Sequence, residues 1–171
     1  KYGNTEQIRE EKRMIKVMFV CHGNICRSPM AEMILKEMVR QRGIADQFEI
    51  ASSATSTEEI WGDRGNPIYP PALDVLRRHG IPVEPHYAVQ LKKSDYAAYD
   101  FILCMDSLNL RNIGRMLGTD RDGKIRKLLD FTDAPRDVSD PWFTGKFERA
   151  YADITEGCEA LLAHLERSGK I

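Results

Sequence analysis

Residues 21–29, with the sequence CHGNICRSP, join a short apolar run to an amphipathic segment, and they organise the chain. Residues 15–20 (IKVMFV) are apolar and rich in β-branched side chains, which is typical of a buried strand. Ser28 suits a helix N-cap and Pro29 the first helical position, and we expect this helix to end near Gly43. A loop at such a junction directs backbone N–H groups into one concavity at the positive end of the helix dipole. The pattern therefore predicts an anion-binding site.

Two side chains of this loop indicate phosphoryl transfer. Cys21 would lie among N–H donors and near an arginine, and both favour the thiolate. Arg27, six residues on, carries a planar guanidinium that can bind two phosphate oxygens. Taken alone, a cysteine such as Cys21 is more often a buried residue at the end of a strand, and an arginine such as Arg27 more often faces solvent. The complete stretch, placed between strand and helix, favours Cys21 as nucleophile and Arg27 as phosphate ligand, with no metal and no cofactor.

The same stretch resembles a known family. Residues 20–32 are similar to the phosphate-binding loop of the low-molecular-weight protein tyrosine phosphatases. The similarity continues in the family's order through residues 52–56, 78–81, 99–106 and 140–143. It spans about residues 15–166. The resemblance implies hydrolysis of protein phosphotyrosine through a phosphocysteine intermediate, without a metal.

The order of elements predicts an α/β fold. Strand-like segments at 47–51, 99–105 and 124–131 alternate with helix-like segments, of which the last is a long amphipathic helix from Phe147. This alternation predicts a parallel sheet between helices. The resemblance specifies a three-layer sandwich with a four-stranded parallel sheet and helices on both faces. We expect one phosphatase domain over residues 14–171, preceded by an extension or expression remnant at 1–13.

Composition excludes several classes of function. A length of 171 residues suits one domain with a sizeable core. The 25 basic and 26 acidic residues nearly cancel, so nucleic acid is not an expected partner. No apolar run is long enough to span a bilayer, and no membrane partner is expected. Four scattered cysteines do not make a disulfide scaffold, and a catalytic thiol needs a reducing compartment, so we expect a cytoplasmic location.

Hydrolysis through a cysteine also needs a proton donor for the leaving phenolate, and then a base for water. Residues 133–141 offer several aspartates, and composition does not choose among them. Asp140 is followed by Pro-Trp-Phe, whose aromatic surface suits an aryl substrate, but a solvated loop aspartate is the alternative. The resemblance selects Asp140 as the general acid.

The resemblance also implies a set of substrate-binding residues beside the catalytic Cys21, Arg27 and Asp140. These are His22, Gly23, Asn24, Ile25, Cys26 and Ser28 around the phosphate, with Trp142 and Phe143 against the aryl ring. It assigns supporting roles to Ser52, His86 and Asp106. It also implies that the Ser28 hydroxyl stabilises the departing thiolate. It further implies that oxidised Cys21 can form a disulfide with Cys26.

Alternative functions remain open at this stage. An arsenate reductase shares the fold and loop but needs further cysteines about 70 residues on, where Cys104 stands alone. Protein arginine phosphatases of this family carry threonine at the position of Ile25, so Ile25 favours tyrosine. Residues 60–65 make this segment a few residues longer than is usual in the family. Trp61 is expected either to line the cleft or to pack on its own neighbours. The expected partner is a phosphotyrosine protein such as a tyrosine kinase, with inorganic phosphate as product.

Overall fold

A computed structural model describes residues 13–171. Within this range, four parallel strands form a central sheet in the order β2-β1-β5-β6. The strands are β1 (Ile15–Cys21), β2 (Phe48–Ala54), β3 (Ile60–Trp61), β4 (Arg64–Gly65), β5 (Phe101–Cys104) and β6 (Ile125–Lys127). Strands β3 and β4 pair with each other as a small antiparallel hairpin. The predicted four-stranded parallel sheet is confirmed.

Helices cover both faces of this sheet. They are α1 (Arg27–Gln41), α2 (Pro70–Arg78), α3 (Asp95–Ala98), α4 (Ser107–Leu117), α5 (Pro141–Thr144) and α6 (Phe147–Arg167), with 3-10 turns at Ala45–Gln47 and Leu128–Phe131. Along β1, Val17 and Phe19 belong to the core shared with α1 and α6. Met18 and Val20 belong to a second core with Ile113 of α4. Because β1 is buried on both faces, its sequence is continuously apolar, and the molecule has the predicted three layers.

The start of α1 differs from the prediction. The helix begins at Arg27, and Cys26 is its N-cap residue without a side-chain cap. Ser28 is therefore not the N-cap, and Pro29 is not the first helical residue. The Ser28 hydroxyl instead contacts the Cys21 sulfur and accepts a hydrogen bond from Asn24, which draws it away from the backbone of its own helix.

Other strand boundaries also differ. Strand β5 covers Phe101–Cys104 rather than residues 99–105. Strand β2 continues through Ala54, because residues 52–54 pair with the last three residues of β1. The predicted strand at 124–131 is shorter, since Leu128 leaves the sheet in a 3-10 turn and packs on α6. A glycine permits this contact: a Cβ at Gly157 would lie 2.5 Å from Leu128 Cγ. The prediction of an extension at residues 1–13 concerns residues that, apart from Arg13, lie outside the described range.

The topology brings several polar segments to one edge of the sheet. The parallel strands β1, β2 and β5 run in the same direction, so their carboxyl ends lie side by side. Cys21 ends β1, Ser52 lies near the end of β2, and Asp106 follows β5. Ligands of open α/β sheets usually bind at this edge.

Candidate active site

The loop between β1 and α1 wraps around the Cys21 sulfur. The Asn24 backbone N–H donates to Cys21 Sγ at 3.3 Å, and Ser28 Oγ lies 3.0 Å from the same atom. The backbone N–H groups of Gly23, Ile25 and Cys26 have no acceptor among residues 13–171. They remain available for an anion at the N-terminus of a 15-residue helix.

Asn24 holds the loop in shape. Its backbone is left-handed, with φ 58°, a conformation that asparagine tolerates better than most residues. Its side-chain nitrogen donates to Ser28 Oγ at 2.8 Å and to Ser52 Oγ at 2.9 Å. Its side-chain oxygen accepts the Val89 N–H at 3.1 Å. Asn24 is fully buried, and both polar atoms of its side chain are hydrogen-bonded.

The hydrogen bonds of Asn24 determine where the Ser28 proton points. Because Ser28 Oγ accepts from Asn24, its own proton is free for Cys21 Sγ at 3.0 Å or the Ser53 carbonyl at 3.5 Å. The shorter distance favours the sulfur. A hydroxyl that donates to this sulfur stabilises a negative charge on it.

A second layer of polar residues supports Asn24, as the resemblance implied. The Ser52 hydroxyl donates to Glu32 Oε1 at 2.6 Å. The Asn24 carbonyl lies 3.2 Å from His86 Nε2, so this ring nitrogen carries the proton and donates. The other ring nitrogen of His86 lies 3.6 Å from Glu32 Oε1.

Arg27 lies at the base of the site and is almost completely buried. Its guanidinium donates to Asp106 Oδ2 at 2.8 Å and to the Val138 carbonyl at 2.6 Å. Burial opposes its charge, but negative charge at Cys21, Asp106 and Asp140 outweighs this effect and raises the pKa of Arg27. Arg27 is thus a fixed cation near the Cys21 sulfur.

One aspartate of the loop before α6 lies beside Arg27. Asp140 Oδ2 lies 3.5 Å from the Arg27 guanidinium, and Asp140 Oδ1 accepts the Trp142 N–H at 3.0 Å. Asp140 thereby caps α5, a single turn that the sequence analysis did not predict. Asp137 instead pairs with Lys127 at 3.0 Å. Partial burial opposes ionisation of Asp137, but the hydrogen bond from Lys127 contributes most to lowering its pKa.

A cavity of about 280 Å³ opens above the loop. Its lining includes nine of the predicted site residues, which are Cys21, His22, Gly23, Ile25, Cys26, Arg27, Asp140, Trp142 and Phe143. Asn24 and Ser28, predicted to bind substrate, do not line the cavity, because the Asn24 side chain bonds to Ser28 and the Ser28 hydroxyl contacts the sulfur.

Sequence analysis missed two residues of the wall. Glu58 and Glu59 line the cavity, and Glu58 Oε2 lies 3.0 Å from His22 Nε2. Glu59 Oε2 accepts from the Asn66 side chain at 2.8 Å. The available signal was a pair of acidic residues directly before residues 60–65, but consecutive glutamates are usually solvated. Trp61 is 71% exposed and lies outside the cavity lining.

The four cysteines are free thiols in different environments. Cys26 lines the cavity beside Cys21, and burial, more than the neighbouring charges, raises the pKa of its thiol. Cys104 and Cys158 are fully buried in the core, and burial raises the pKa of Cys104 to about 12. Both therefore lack the thiolate character of a reactive cysteine. The disulfide between Cys21 and Cys26 stays a prediction.

The described part of the chain contains neither a membrane-spanning helix nor a metal-binding cluster. In residues 13–171, no helix is both long and apolar enough to cross a bilayer. In the same range, no group of three or more His, Cys, Asp or Glu side chains is arranged to hold a metal ion. The arrangement at the edge of the sheet can bind a tetrahedral anion and present a sulfur to it.

Known proteins are similar to this chain in sequence and in fold. The family model described as low molecular weight phosphotyrosine protein phosphatase matches residues 16–170. The low molecular weight protein-tyrosine-phosphatase YfkJ of Bacillus subtilis is 36% identical over 160 residues, which cover 92% of this chain and 100% of that protein. The human low molecular weight phosphotyrosine protein phosphatase is 37% identical, with 89% and 96% of the two chains covered.

Solved structures of similar proteins have the same fold. The crystal structure of YfkJ superposes with a TM-score of 0.82 at 37% identity and covers 91% of this chain and 96% of its own. A Drosophila arginine phosphatase superposes with a TM-score of 0.78 at 31% identity, with 89% and 98% of the chains covered. The chain belongs to the low molecular weight phosphotyrosine protein phosphatase family. The predicted family, fold and enzyme class are confirmed.

Proposed function

We propose that this protein hydrolyses phosphotyrosine in proteins through a phosphocysteine on Cys21, without a metal ion. The observation that carries the proposal is the Cys21 sulfur at the centre of a loop that offers both free N–H groups and the Arg27 guanidinium. These groups supply the positive charge that a transferring phosphoryl group requires.

In the first step, the Cys21 thiolate attacks phosphorus in line with the tyrosyl oxygen. An S–P bond forms, and the P–O bond to tyrosine breaks. Arg27 and the free N–H groups of Gly23, Ile25 and Cys26 hold the three remaining oxygens. Asp140 in its protonated form gives its proton to the leaving phenolate, which departs as tyrosine. Asp140 lines the cavity on the side of Trp142, so it can reach a leaving group there.

In the second step, Asp140 acts as a base. It takes a proton from water, whose oxygen attacks phosphorus, and the S–P bond breaks. The Ser28 hydroxyl, 3.0 Å from the sulfur, stabilises the departing thiolate. One water is consumed, and the products are tyrosine and inorganic phosphate, so the enzyme returns to its starting state.

The walls of the cavity favour an aryl substrate. Ile25 presents an apolar side chain in the loop, and Trp142 and Phe143 provide aromatic surface above it. A phenyl ring gains from contact with such surface. A phosphotyrosine protein, such as a tyrosine kinase, is the proposed partner. A nucleophilic thiol must stay reduced, which fits a cytoplasmic location.

The test is hydrolysis of matched peptides that carry phosphotyrosine, phosphoarginine or phosphoserine. We expect kcat/KM for phosphotyrosine to exceed the other two values by at least about 10²-fold. The variant Ile25→Thr should raise phosphoarginine hydrolysis relative to phosphotyrosine. Faster hydrolysis of phosphoarginine by the parent protein would contradict the proposal, because the arginine phosphatase neighbour would then be the better guide to the substrate.

A further inference from the structure

We propose that Tyr69 is a positioning residue that holds the turn carrying Asp140 against the phosphate-binding loop. The inference rests on the proposed function, in which Asp140 is the proton donor. It concerns a residue that does not line the cavity and therefore acts through its neighbours.

The backbone of Tyr69 is fixed to the phosphate-binding loop. Its N–H donates to the Ile25 carbonyl at 2.9 Å. Its carbonyl accepts the N–H groups of Ala72 and Leu73 at 3.0 and 3.1 Å, in the first turn of α2. Pro70 follows directly and restricts the backbone of Tyr69 to an extended conformation. The position of this residue is thus tied both to the loop and to a helix.

The ring of Tyr69 contacts the other side of the site. Its centroid lies 4.7 Å from that of Trp142, with an interplanar angle of 50°. It also lies 6.0 Å from the ring of Phe147, at the start of α6. Within residues 13–171, no other pair of aromatic rings includes Trp142. Tyr69 is therefore the aromatic support of Trp142.

Trp142 in turn is bonded to the general acid. Its backbone N–H donates to Asp140 Oδ1 at 3.0 Å. The turn α5 has only four residues and ends at Gly145, which has a left-handed conformation. A helix of this length is not stable by itself and depends on contacts with the rest of the protein. Phe143 is 85% exposed and does not anchor it. The Tyr69–Trp142 contact therefore helps to fix the carboxyl group relative to the loop.

The kinetic test compares Tyr69→Ala with Tyr69→Phe in single turnover. The substrates are a phosphotyrosine peptide, whose leaving group needs a proton, and dinitrophenyl phosphate, whose leaving group does not. We expect Tyr69→Ala to slow phenol release from phosphotyrosine about tenfold, since small misplacement of a catalytic group is costly. Release of dinitrophenol and the inhibition constant of inorganic phosphate should stay near the parent values. Tyr69→Phe, which keeps the ring, should match the parent with both substrates.

A spectroscopic readout tests the contact itself. The chain has two tryptophans, so in a Trp61→Phe background the fluorescence reports Trp142 alone. Adding Tyr69→Ala should shift the emission to longer wavelength and increase quenching by iodide, while Tyr69→Phe should not. Unchanged emission in the alanine variant would overturn the proposal. If the alanine variant folds poorly, Tyr69→Leu keeps apolar bulk without the ring and replaces it in both experiments.

Asp140→Ala in the same assay separates the two proposals. If Asp140→Ala slows both substrates equally, Asp140 is not the proton donor, and the proposed function and the role of Tyr69 are both overturned. If Asp140→Ala discriminates between the substrates and Tyr69→Ala does not, the inference about Tyr69 alone is wrong. The inference about Tyr69 is supported if Asp140→Ala and Tyr69→Ala both slow phosphotyrosine more than dinitrophenyl phosphate, while Tyr69→Phe keeps the parent rates.

Discussion

The phosphate-binding loop and the rim of the cavity are built in opposite ways. In the loop, Asn24 and Ser28 are fully buried, and Arg27 is 2% exposed. Around the rim, Trp142 is 52% exposed and Phe143 85%. The loop is held by hydrogen bonds to three other segments of the chain, at Ser52, at Tyr69 and at residues 86–89. The rim consists of a single turn and side chains that face solvent.

The difference separates two tasks. A tetrahedral phosphate has the same shape in every substrate, so a preorganised loop can bind it without adjusting. The groups that flank the phosphate vary, and exposed side chains can adapt to them. We expect substitutions of the reactive loop residues Cys21 and Arg27 to abolish chemistry, and substitutions of the exposed rim side chain Phe143 to change substrate affinity by small factors.

The largest effect is expected for Cys21→Ser. Serine keeps the shape of the loop, but its hydroxyl is a far weaker nucleophile than a thiolate. Hydrolysis of aryl phosphates should fall to the background rate, while calorimetry should still detect binding of phosphate or vanadate. Appreciable turnover by this variant would remove Cys21 from the mechanism.

Arg27→Lys should be almost as severe. Lysine retains the charge but loses the planar pair of donors. If each lost donor costs about 10²-fold, the rate should fall about 10⁴-fold. Unlike Cys21→Ser, this variant should also lose phosphate binding, and that contrast is its control. Binding at the parent affinity would show that the bidentate contact is not needed.

Asp140→Ala should cost about 10²–10⁴-fold with phosphotyrosine, the usual range for a general acid. The loss should grow as the leaving group becomes more basic, which a series of substituted phenyl phosphates measures. Asp137→Ala is the matched control, because Asp137 pairs with Lys127 rather than with the cavity. Equal losses in the two variants would contradict the choice of Asp140.

Asn24→Ala tests the loop without touching a residue of the cavity lining. The change leaves hydrogen-bonding groups of Ser28 and Val89 unpaired, at about 1–3 kcal/mol, and places alanine in a left-handed conformation at about 1 kcal/mol. We expect a lower midpoint in urea and a rate about tenfold below the parent. Asn24→Gly removes the bonds without the backbone strain, so it should recover part of the stability and little of the activity. Full recovery of activity in Asn24→Gly would mean that the backbone conformation of this residue, and not its side-chain hydrogen bonds, is what the activity requires.

The smallest effect is expected on the rim. Phe143→Ala should raise KM for phosphotyrosine peptides two- to fivefold, because partial burial of one ring contributes under about 1 kcal/mol. Stability should change little, since the ring is exposed. Trp61→Ala, outside the cavity, should leave KM unchanged. A change in kcat rather than KM for Phe143→Ala would assign the rim a part in the chemistry.

The same contrast explains what the sequence could predict. The loop of residues 21–29 follows from local rules: an apolar strand, residues that tolerate tight turns, a helix, and two reactive side chains in between. A parallel sheet between helices follows equally from the alternation of strand-like and helix-like segments, whereas its four strands were implied by the family resemblance. Even there, Ser28 was assigned wrongly as an N-cap, because its true partners are Cys21 and Asn24 rather than its own helix.

The rim depends on contacts between distant residues, which local patterns do not encode. Asp140 could not be separated from Asp137 by composition, since the choice depends on Arg27 and Lys127, far apart in the sequence. Glu58 and Glu59 were missed because consecutive glutamates have no local signature of a cavity wall. Tyr69 carried no signal at all, because its role depends on Trp142, 73 positions later, although their rings are only 4.7 Å apart.

The most direct test of the account is to find the phosphoryl group during turnover. Enzyme in excess is mixed with a phosphotyrosine peptide, denatured within milliseconds and digested, and tandem mass spectrometry locates the phosphate. The account predicts one phosphate on Cys21, formed as fast as tyrosine is released and lost as inorganic phosphate appears. Asp140→Ala should form it more slowly with the same location. Phosphate on another residue, or tyrosine released with no phosphorylated protein at any time, would contradict the mechanism.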